Sequence, residues 1–193
     1  MARHKGLNFY RRRKRISSNM IKEIASWIFG ICIAILFAFV VIFSVGMKTS
    51  VIGVSMEPAL YNGQEILINR FIYKFSAPKN GDVVVFRPNG NQNAHFYVKR
   101  VVAVPGDTVQ IKEGKLYING IMEEEEQFDK MADAGIAENE IILNEDEFFV
   151  LGDNRNNSED SRSGNIGAIK KETIAGKAWF HMGAGDQGIG FVE

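Results

Sequence analysis

The sequence predicts a mainly β fold, an antiparallel β-sandwich or partly closed barrel, preceded by a single transmembrane helix. The helix is predicted by residues 24–47, which contain no charged side chain. At ~1.5 Å per residue this segment spans about 36 Å, enough to cross a hydrocarbon core of ~30 Å. The strands are predicted by short apolar or alternating runs after residue 47, separated by turns rich in Gly, Asn and Asp.

The distribution of charge gives the predicted helix an orientation. Residues 1–23 carry eight Lys or Arg and one Glu, whereas residues 48–193 carry fifteen basic and twenty-two acidic residues, a net charge of minus seven. Because basic flanks stay in the cytoplasm, we expect a cytoplasmic tail at 1–23, an anchor at 24–47 and an extracytoplasmic domain at 48–193. A cleaved signal peptide is disfavoured, since its apolar core runs to only ~7–15 residues.

Composition also limits the partners and cofactors of the outer domain. It has no basic stripe of the kind that nucleic acid requires, so no nucleic-acid partner is expected. The single cysteine, Cys32, lies in the apolar segment, so the outer domain contains no disulfide and depends on its core. The run of four glutamates at 123–126 predicts a solvated face, because metal sites need converging ligands. We expect neither a metal nor a cofactor.

The strand signals follow one another along the outer domain. In chain order they are EILINRFIY (65–73), GDVVVF (81–86), HFYVKRVVAV (95–104), DTVQIKEGKLYINGI (107–121), EFFVLGD (147–153) and AGKAWFHM (175–182). The fourth run reads as two strands joined by KEGK, with Asn-Gly closing another turn. Residues 121–141 are acidic and poor in β-branched side chains, which predicts an excursion between core strands, either a small cap or a mobile lobe. The GIGF segment near the end predicts a loose terminus.

Ser55 lies in the short extended stretch VIGVSMEPALYNG, where Pro58 blocks a helix. If Ser55 is a nucleophile, a base must take its proton. His95 and His181 are candidates, since a Ser-His-acid triad depends on geometry rather than on sequence distance. His4 belongs to the basic tail and is assigned no role.

Lys99 is a further candidate for the base. It lies in an apolar strand in which Tyr97 and Lys99 share one face and Arg100 occupies the other, so the strand directs either a lysine or an arginine inward. Burial can lower a lysine pKa by ~3–5 units from ~10.4, whereas arginine stays charged. The strand alone leaves two readings open: a Ser-Lys dyad, or a lysine that reaches an edge or pairs with an acid.

Residues 151–167, LGDNRNNSEDSRSGNIG, are rich in Gly, Asn, Asp and Ser. This composition fits a simple loop. It also fits a rigid hydrogen-bonded platform in which Asp160 pairs with Arg162 and Ser158 orients a neutral amine. The spacing of the residues leaves both interpretations open.

Four motifs together resemble those of bacterial type I signal peptidases, membrane-anchored serine endopeptidases with a Ser-Lys dyad. GVSMEPAL, GDVVVF, YVKRVVAVPGD and GDNRNNSEDSR follow the family's order after an anchor of the expected orientation. In the first motif Ala59 replaces the usual threonine. Gly53 stands where some members carry an oxyanion-stabilising serine, as in many Gram-positive-type members, so backbone N–H groups, chiefly that of Ser55, would stabilise the oxyanion. We expect Gly53→Ser to retain or modestly raise activity.

The resemblance implies an enzyme that removes signal peptides from exported pre-proteins at the bacterial cytoplasmic membrane, close to the translocation machinery. It would cut after small residues in an Ala-x-Ala-like site, using a β-rich core with an inserted lobe at about residues 112–147. Ser55 would be the nucleophile and Lys99 the general base, with Ser158 orienting Lys99. Structural support would come from Asp153, Arg155, Asp160 and Arg162. The substrate would be bound by Ile52, Gly53, Met56, Tyr97 and Val98.

Two other classes of protein remain as alternatives. One is a different Ser-Lys protease, such as the self-cleaving repressors, which the anchor and the lack of a DNA-binding segment disfavour. The other is a signal-peptidase-like assembly factor without catalysis. Retention of both Ser55 and Lys99 disfavours this second class.

Overall fold

The computed structural model describes residues 18–45, 47–91, 94–183 and 188–192. Most of the basic tail, with His4, lies outside the described residues. Helix α1, Ser18–Val45, is the one helix in the described part of the chain that is long and apolar enough to cross a membrane. Its apolar side chains, such as Trp27 and Phe37, are exposed around the helix, as in a membrane span rather than in the amphipathic helix of a water-soluble protein.

Strands dominate the rest of the described chain, so the predicted mainly β fold class is confirmed. The strands are β1 (Met47–Ser50), β2 (Glu65–Asn69), β3 (Val83–Phe86), β4 (Tyr97–Ala103), β5 (Thr108–Lys112), β6 (Lys115–Ile118), β7 (Ile121–Met122), β8 (Ile141–Ile142), β9 (Glu147–Leu151), β10 (Ile169–Lys170), β11 (Ile174–His181) and β12 (Gly190–Phe191). Four short helical segments accompany them: α2 (Ile72–Phe75) and the 3₁₀ turns Pro88–Gly90, Gly135–Glu138 and Lys171–Thr173.

The strands form two antiparallel sheets. The larger has the order β1-β2-β11-β3-β4-β9-β10, with β12 paired to β11, and the smaller has the order β7-β6-β5-β8. Strand β4 lies inside the larger sheet, between β3 and β9. Lys99 therefore has a fixed register opposite Val84, and Arg100 lies opposite both Val83 and Leu151.

The smaller sheet is inserted between β4 and β9 and spans residues 108–142, so it begins four residues before the lobe boundary expected from the sequence. Two tight turns shape it, at Glu113-Gly114 and Asn119-Gly120. All four of these residues have positive φ angles, between 51° and 77°. This is the geometry of two-residue hairpins whose twist matches that of the flanking strands.

Strand β3 of the larger sheet is buried on both faces. In β3, Val83 and Val85 pack into one hydrophobic cluster, whereas Val84 and Phe86 pack into another. The first cluster also contains Met56, which is fully buried. Burying a side chain of this size stabilises the fold by about 1.5–3 kcal/mol, so the segment that carries Ser55 is held firmly to the core.

Two sequence predictions of local structure were wrong. The run EILINRFIY does not continue as a strand beyond Asn69, because the Asn69 side chain accepts the backbone N–H groups of Phe71 and Ile72 and turns the chain into α2. The GIGF segment is not a loose terminus. Its last two residues form β12, and the Phe191 ring packs against the rings of Trp179 and Phe180.

Candidate active site

The structure brings Ser55 and Lys99 into direct contact, although they are separated by 44 residues in sequence. The Nζ atom of Lys99 lies 2.5 Å from the Oγ atom of Ser55. Lys99 is only 3% exposed, and Ser55 is half-buried. His95 is exposed, and His181 lies in β11 opposite Gly190. Of the candidate bases, Lys99 is the one that the structure places against the serine hydroxyl.

Ser55 is presented by a closed loop between β1 and β2. The N–H of Val51 donates to the carbonyl of Gln64 at 2.8 Å and closes the base of this loop. The N–H of Gly53 donates to Oδ1 of Asn62 at 2.9 Å and ties its two sides together. The nucleophile candidate therefore has a defined position before any substrate binds.

Gly53 has a φ of +85°, in the left-handed region that non-glycine residues rarely adopt. A serine there would strain the backbone beside Ser55, even though a Cβ atom would meet open space. This strain opposes the modest gain in activity that the sequence predicts for Gly53→Ser, which stays a prediction. The sequence shows only that a side chain is absent, not the backbone angle that requires its absence.

Burial determines the protonation of Lys99. Desolvation lowers the pKa of Lys99 from its ordinary value of 10.5 to about 8, because the charged amine loses its water. The carboxylates of Asp160, Glu159 and Asp153 oppose burial and raise this pKa by smaller amounts. The charge of Arg162 acts with burial and lowers it. A sizeable fraction of the amine is therefore neutral near pH 8, as a general base requires.

Arg100, the neighbour of Lys99 in β4, is neutralised by a carboxylate. Its Nε and Nη2 atoms donate to the two carboxylate oxygens of Asp153 at 2.8 and 2.7 Å, and Asp153 is only 4% exposed. Alternation along the strand did not decide whether Lys99 or Arg100 is the buried side chain without an acidic partner. The bidentate pair between Arg100 and Asp153 decides it. The strand buries an unpaired lysine and pairs the arginine with an acid.

The segment after β9 is a hydrogen-bonded platform rather than a simple loop. Nε and Nη2 of Arg162 donate to the two oxygens of Asp160 at 2.8 and 2.9 Å, and Nη2 also donates to the carbonyl of Arg155. The N–H of Gly152 donates to the Asp160 carboxylate at 3.1 Å. The charges of Asp160 and Arg162 are buried but paired, which avoids the penalty for an isolated buried ion.

Asn154 links the platform to the loop between β1 and β2 that carries Ser55. Its backbone N–H donates to the carbonyl of Ser55 at 3.1 Å, and its side-chain Nδ2 donates to the carbonyl of Val54 at 3.2 Å. The sequence did not predict this role. The available signal was the position of Asn154 inside the Gly-Asp-Asn-Arg motif.

The predicted hydrogen bond between Ser158 and Lys99 is absent. The Ser158 hydroxyl is buried and has no hydrogen-bond partner among the described residues. Its side chain lies over Gly152, in the space that a Cβ atom at position 152 would occupy, while Lys99 Nζ contacts Ser55 instead. Ser158 thus lies close to the loop that carries Ser55, but it does not orient the Lys99 amine through a hydrogen bond.

One glutamate of the acidic run is not solvated as predicted. Glu125 accepts hydrogen bonds from both terminal nitrogens of Arg155, at 2.5 and 2.7 Å, and Arg155 is 2% exposed. The Arg155 guanidinium also lies 4.1 Å from the ring centre of Phe128. Glu124 and Glu126, on either side, are exposed. The prediction failed because the partner arginine lies 30 residues away in sequence.

A cleft of about 630 Å³ contains the Ser55–Lys99 pair. All five residues expected to bind substrate line this cleft: Ile52, Gly53, Met56, Tyr97 and Val98. His95 and Glu159 also line it, although the sequence analysis assigned neither to the substrate site. Among the described residues, no group of three His, Cys, Asp or Glu side chains is arranged to hold a metal ion.

Comparison with known proteins places this geometry in a family. Residues 24–182 match the family model described as signal peptidase, peptidase S26. Signal peptidase I P from Bacillus subtilis subsp. natto is 36% identical over 173 residues, covering 86% of this chain and 90% of that protein. Signal peptidase IB from Staphylococcus aureus strain COL is 34% identical over 181 residues, covering 84% and 91%. The solved structure of a signal peptidase I from Enterococcus faecalis V583 is 26% identical, with a TM-score of 0.41, covering 53% of this chain and 97% of that one.

Proposed function

The chain belongs to the peptidase S26 family of signal peptidases and is a serine endopeptidase that removes signal peptides; from this premise we propose that it uses a Ser55–Lys99 dyad and cuts after small residues. The observation that carries the proposal is the 2.5 Å separation of Lys99 Nζ and Ser55 Oγ. It is supported by the lowered pKa of Lys99, which makes the neutral amine available.

In the proposed mechanism the neutral amine of Lys99 takes the hydroxyl proton of Ser55 as Oγ attacks the scissile carbonyl. The backbone N–H of Ser55 donates to the oxyanion that forms. The protonated Lys99 then gives its proton to the leaving amine, which breaks the peptide bond and leaves an ester on Ser55. Water, deprotonated by Lys99, hydrolyses this ester and restores the serine.

The cleft supports the proposed preference for small side chains in the signal peptide. Tyr97 and Val98 line it beside Lys99, whereas Ile52 and Gly53 line it beside Ser55. Most of these walls are apolar, so they favour alanine-like side chains over charged ones at the positions next to the cut. Met56 is fully buried beneath the cleft and limits its depth.

A cleavage assay tests the proposal directly. The full-length chain in detergent micelles is incubated with a secretory pre-protein, and the amino terminus of the product is sequenced. We expect one cut after an Ala-x-Ala-like sequence. An intact pre-protein would instead favour a signal-peptidase-like assembly factor.

The rate of cleavage should rise with pH. Because Lys99 acts as a neutral base and its pKa is lowered to about 8, kcat/KM is low below pH 7, half-maximal near pH 8 and level above pH 9. The measurement is kcat/KM for a peptide substrate between pH 6 and pH 10. A half-maximal point near 6.5, as for an ordinary histidine, would contradict Lys99 as the base.

We also propose that α1 anchors the protein in the bacterial cytoplasmic membrane with its amino terminus in the cytoplasm. The eight basic residues before position 24 support this orientation, which puts the catalytic domain on the outer face near the translocation machinery. Protease added to intact spheroplasts should therefore degrade residues 48–193, with a cytoplasmic protein as the control for leakage. Protection of the domain until the cells are lysed would reverse the orientation.

A further inference from the structure

Glu159 is the one acidic side chain among the described residues that line the catalytic cleft. Most of the other lining residues are apolar or small. Glu159 is exposed, and it lies in the platform between Ser158 and Asp160. An acid in this place puts negative charge beside any substrate that binds in the cleft.

The carboxylate of Glu159 has a defined position. The hydroxyl of Tyr97 donates to its Oε2 atom at 3.2 Å, which joins the platform to strand β4. The pKa of Tyr97 is raised, by burial first and then by the negative charge of Glu159, in agreement with a carboxylate held against the phenol. We call this pair of residues the Tyr97–Glu159 edge of the cleft.

Other carboxylates near the site are neutralised, whereas Glu159 is not. Asp153 pairs with Arg100, and Asp160 pairs with Arg162. No lysine or arginine forms an ion pair with Glu159 in the part of the chain that the structure describes. Its negative charge is therefore available to a substrate side chain in the cleft.

We propose that Glu159 is a specificity-determining residue: it favours precursors with Lys or Arg, and disfavours those with Asp or Glu, at the substrate position that lies against the Tyr97–Glu159 edge. This inference rests on the proposed function, since it assumes that the cleft binds the precursor. The physical basis is the attraction or repulsion between a fixed carboxylate and a substrate charge in a partly desolvated cleft. The alternative is that Glu159 is a solvated side chain that no substrate side chain reaches.

Loss of this charge should also change the catalytic base. Glu159 raises the pKa of Lys99, so Glu159→Gln should shift the pH profile of kcat/KM to lower pH. The other groups that act on the amine remain in the variant: Asp153, Asp160, Arg162, the Ser55 hydroxyl and the Tyr97 ring. This shift reports the charge of Glu159 at Lys99 and does not depend on contact with a substrate side chain, so the peptide ratios decide between the inference and its alternative.

The experiment uses the full-length chain in detergent micelles and sets of peptides that differ only by Lys or Glu at one position on either side of the cut. The ratio of kcat/KM for the Lys peptide to that for the Glu peptide is measured for each position. We expect at least one position at which the wild-type ratio exceeds one and falls about threefold in Glu159→Gln. The ratio should reverse in Glu159→Lys and remain above one in Glu159→Asp, and added salt should weaken the preference.

Glu124→Gln is the matched control, because it removes the same charge from an exposed residue outside the cleft. Its ratios should equal those of the wild type. Equal ratios in the wild type and Glu159→Gln at every position would overturn the inference while leaving the proposed function intact. A wild-type chain that cuts none of the peptides would overturn both.

Discussion

Lys99→Arg and Ser55→Ala should each lower kcat/KM for pre-protein cleavage by about 10³-fold or more while the domain stays folded. Arginine keeps the positive charge but cannot lose its proton, so it cannot accept the hydroxyl proton that Lys99 Nζ reaches at 2.5 Å. Alanine at position 55 removes the attacking oxygen. Cleavage is measured by product formation, and folding by circular dichroism and thermal unfolding.

A histidine double variant is the control for this prediction. Neither His95 nor His181 is hydrogen-bonded to Ser55 in the structure, so replacing both with Gln should leave most of the activity. A folded Lys99→Arg protein that cleaves at nearly the wild-type rate would refute the dyad. A folded double histidine variant that still binds the pre-protein but does not cleave it would refute it as well.

Gly152→Ala should lower kcat by about 10²-fold, because it forces the platform away from the loop that carries Ser55. A Cβ atom at position 152 would lie 2.5 Å from the carbonyl oxygen of Ser55 and would overlap the side chain of Ser158. The carbonyl cannot move without breaking the hydrogen bond from the Asn154 N–H. The φ angle of Gly152 is not in the left-handed region, so the expected loss comes from the lack of space.

Gly164→Ala is the matched control, since it makes the same change in the same segment. The nearest atom to its Cβ position, on Ile136, is 3.8 Å away, which is an ordinary contact. We expect wild-type kcat/KM and an unchanged melting temperature. If Gly152→Ala also kept wild-type kcat, the close approach of platform and loop would have no catalytic importance.

Alternation and turn residues were enough to predict β2 to β6, β9, β11 and the two tight hairpins of the lobe, because these features depend on local sequence. They were not enough to decide between Lys99 and Arg100. Alternation predicts that one of these two side chains faces inward, but it does not identify which one. That choice depends on Asp153, which pairs with Arg100 from 53 residues away. The resemblance to a family supplied the choice that the strand could not.

The error at Asn69 is local, because its side chain accepts backbone N–H groups only two and three residues away. Three other features depend on contacts outside their own stretch of sequence. The pairing of β12 depends on a neighbouring strand, and the ion pair of Glu125 depends on Arg155. The requirement for glycine at position 53 depends on how the loop closes through Asn62. None of these leaves a periodic pattern in the sequence.

The insertion of the lobe between β4 and β9 has a consequence for how the protein folds. Val101 pairs with Val150, so forming this part of the central sheet requires the closure of a loop of 48 residues. Closing such a loop is entropically costly and makes folding slow relative to local hairpins. The β5–β6 hairpin, joined by two residues, can form first and shorten the loop that remains. Lys99 and the platform are thus expected to come together late, after the lobe has already folded.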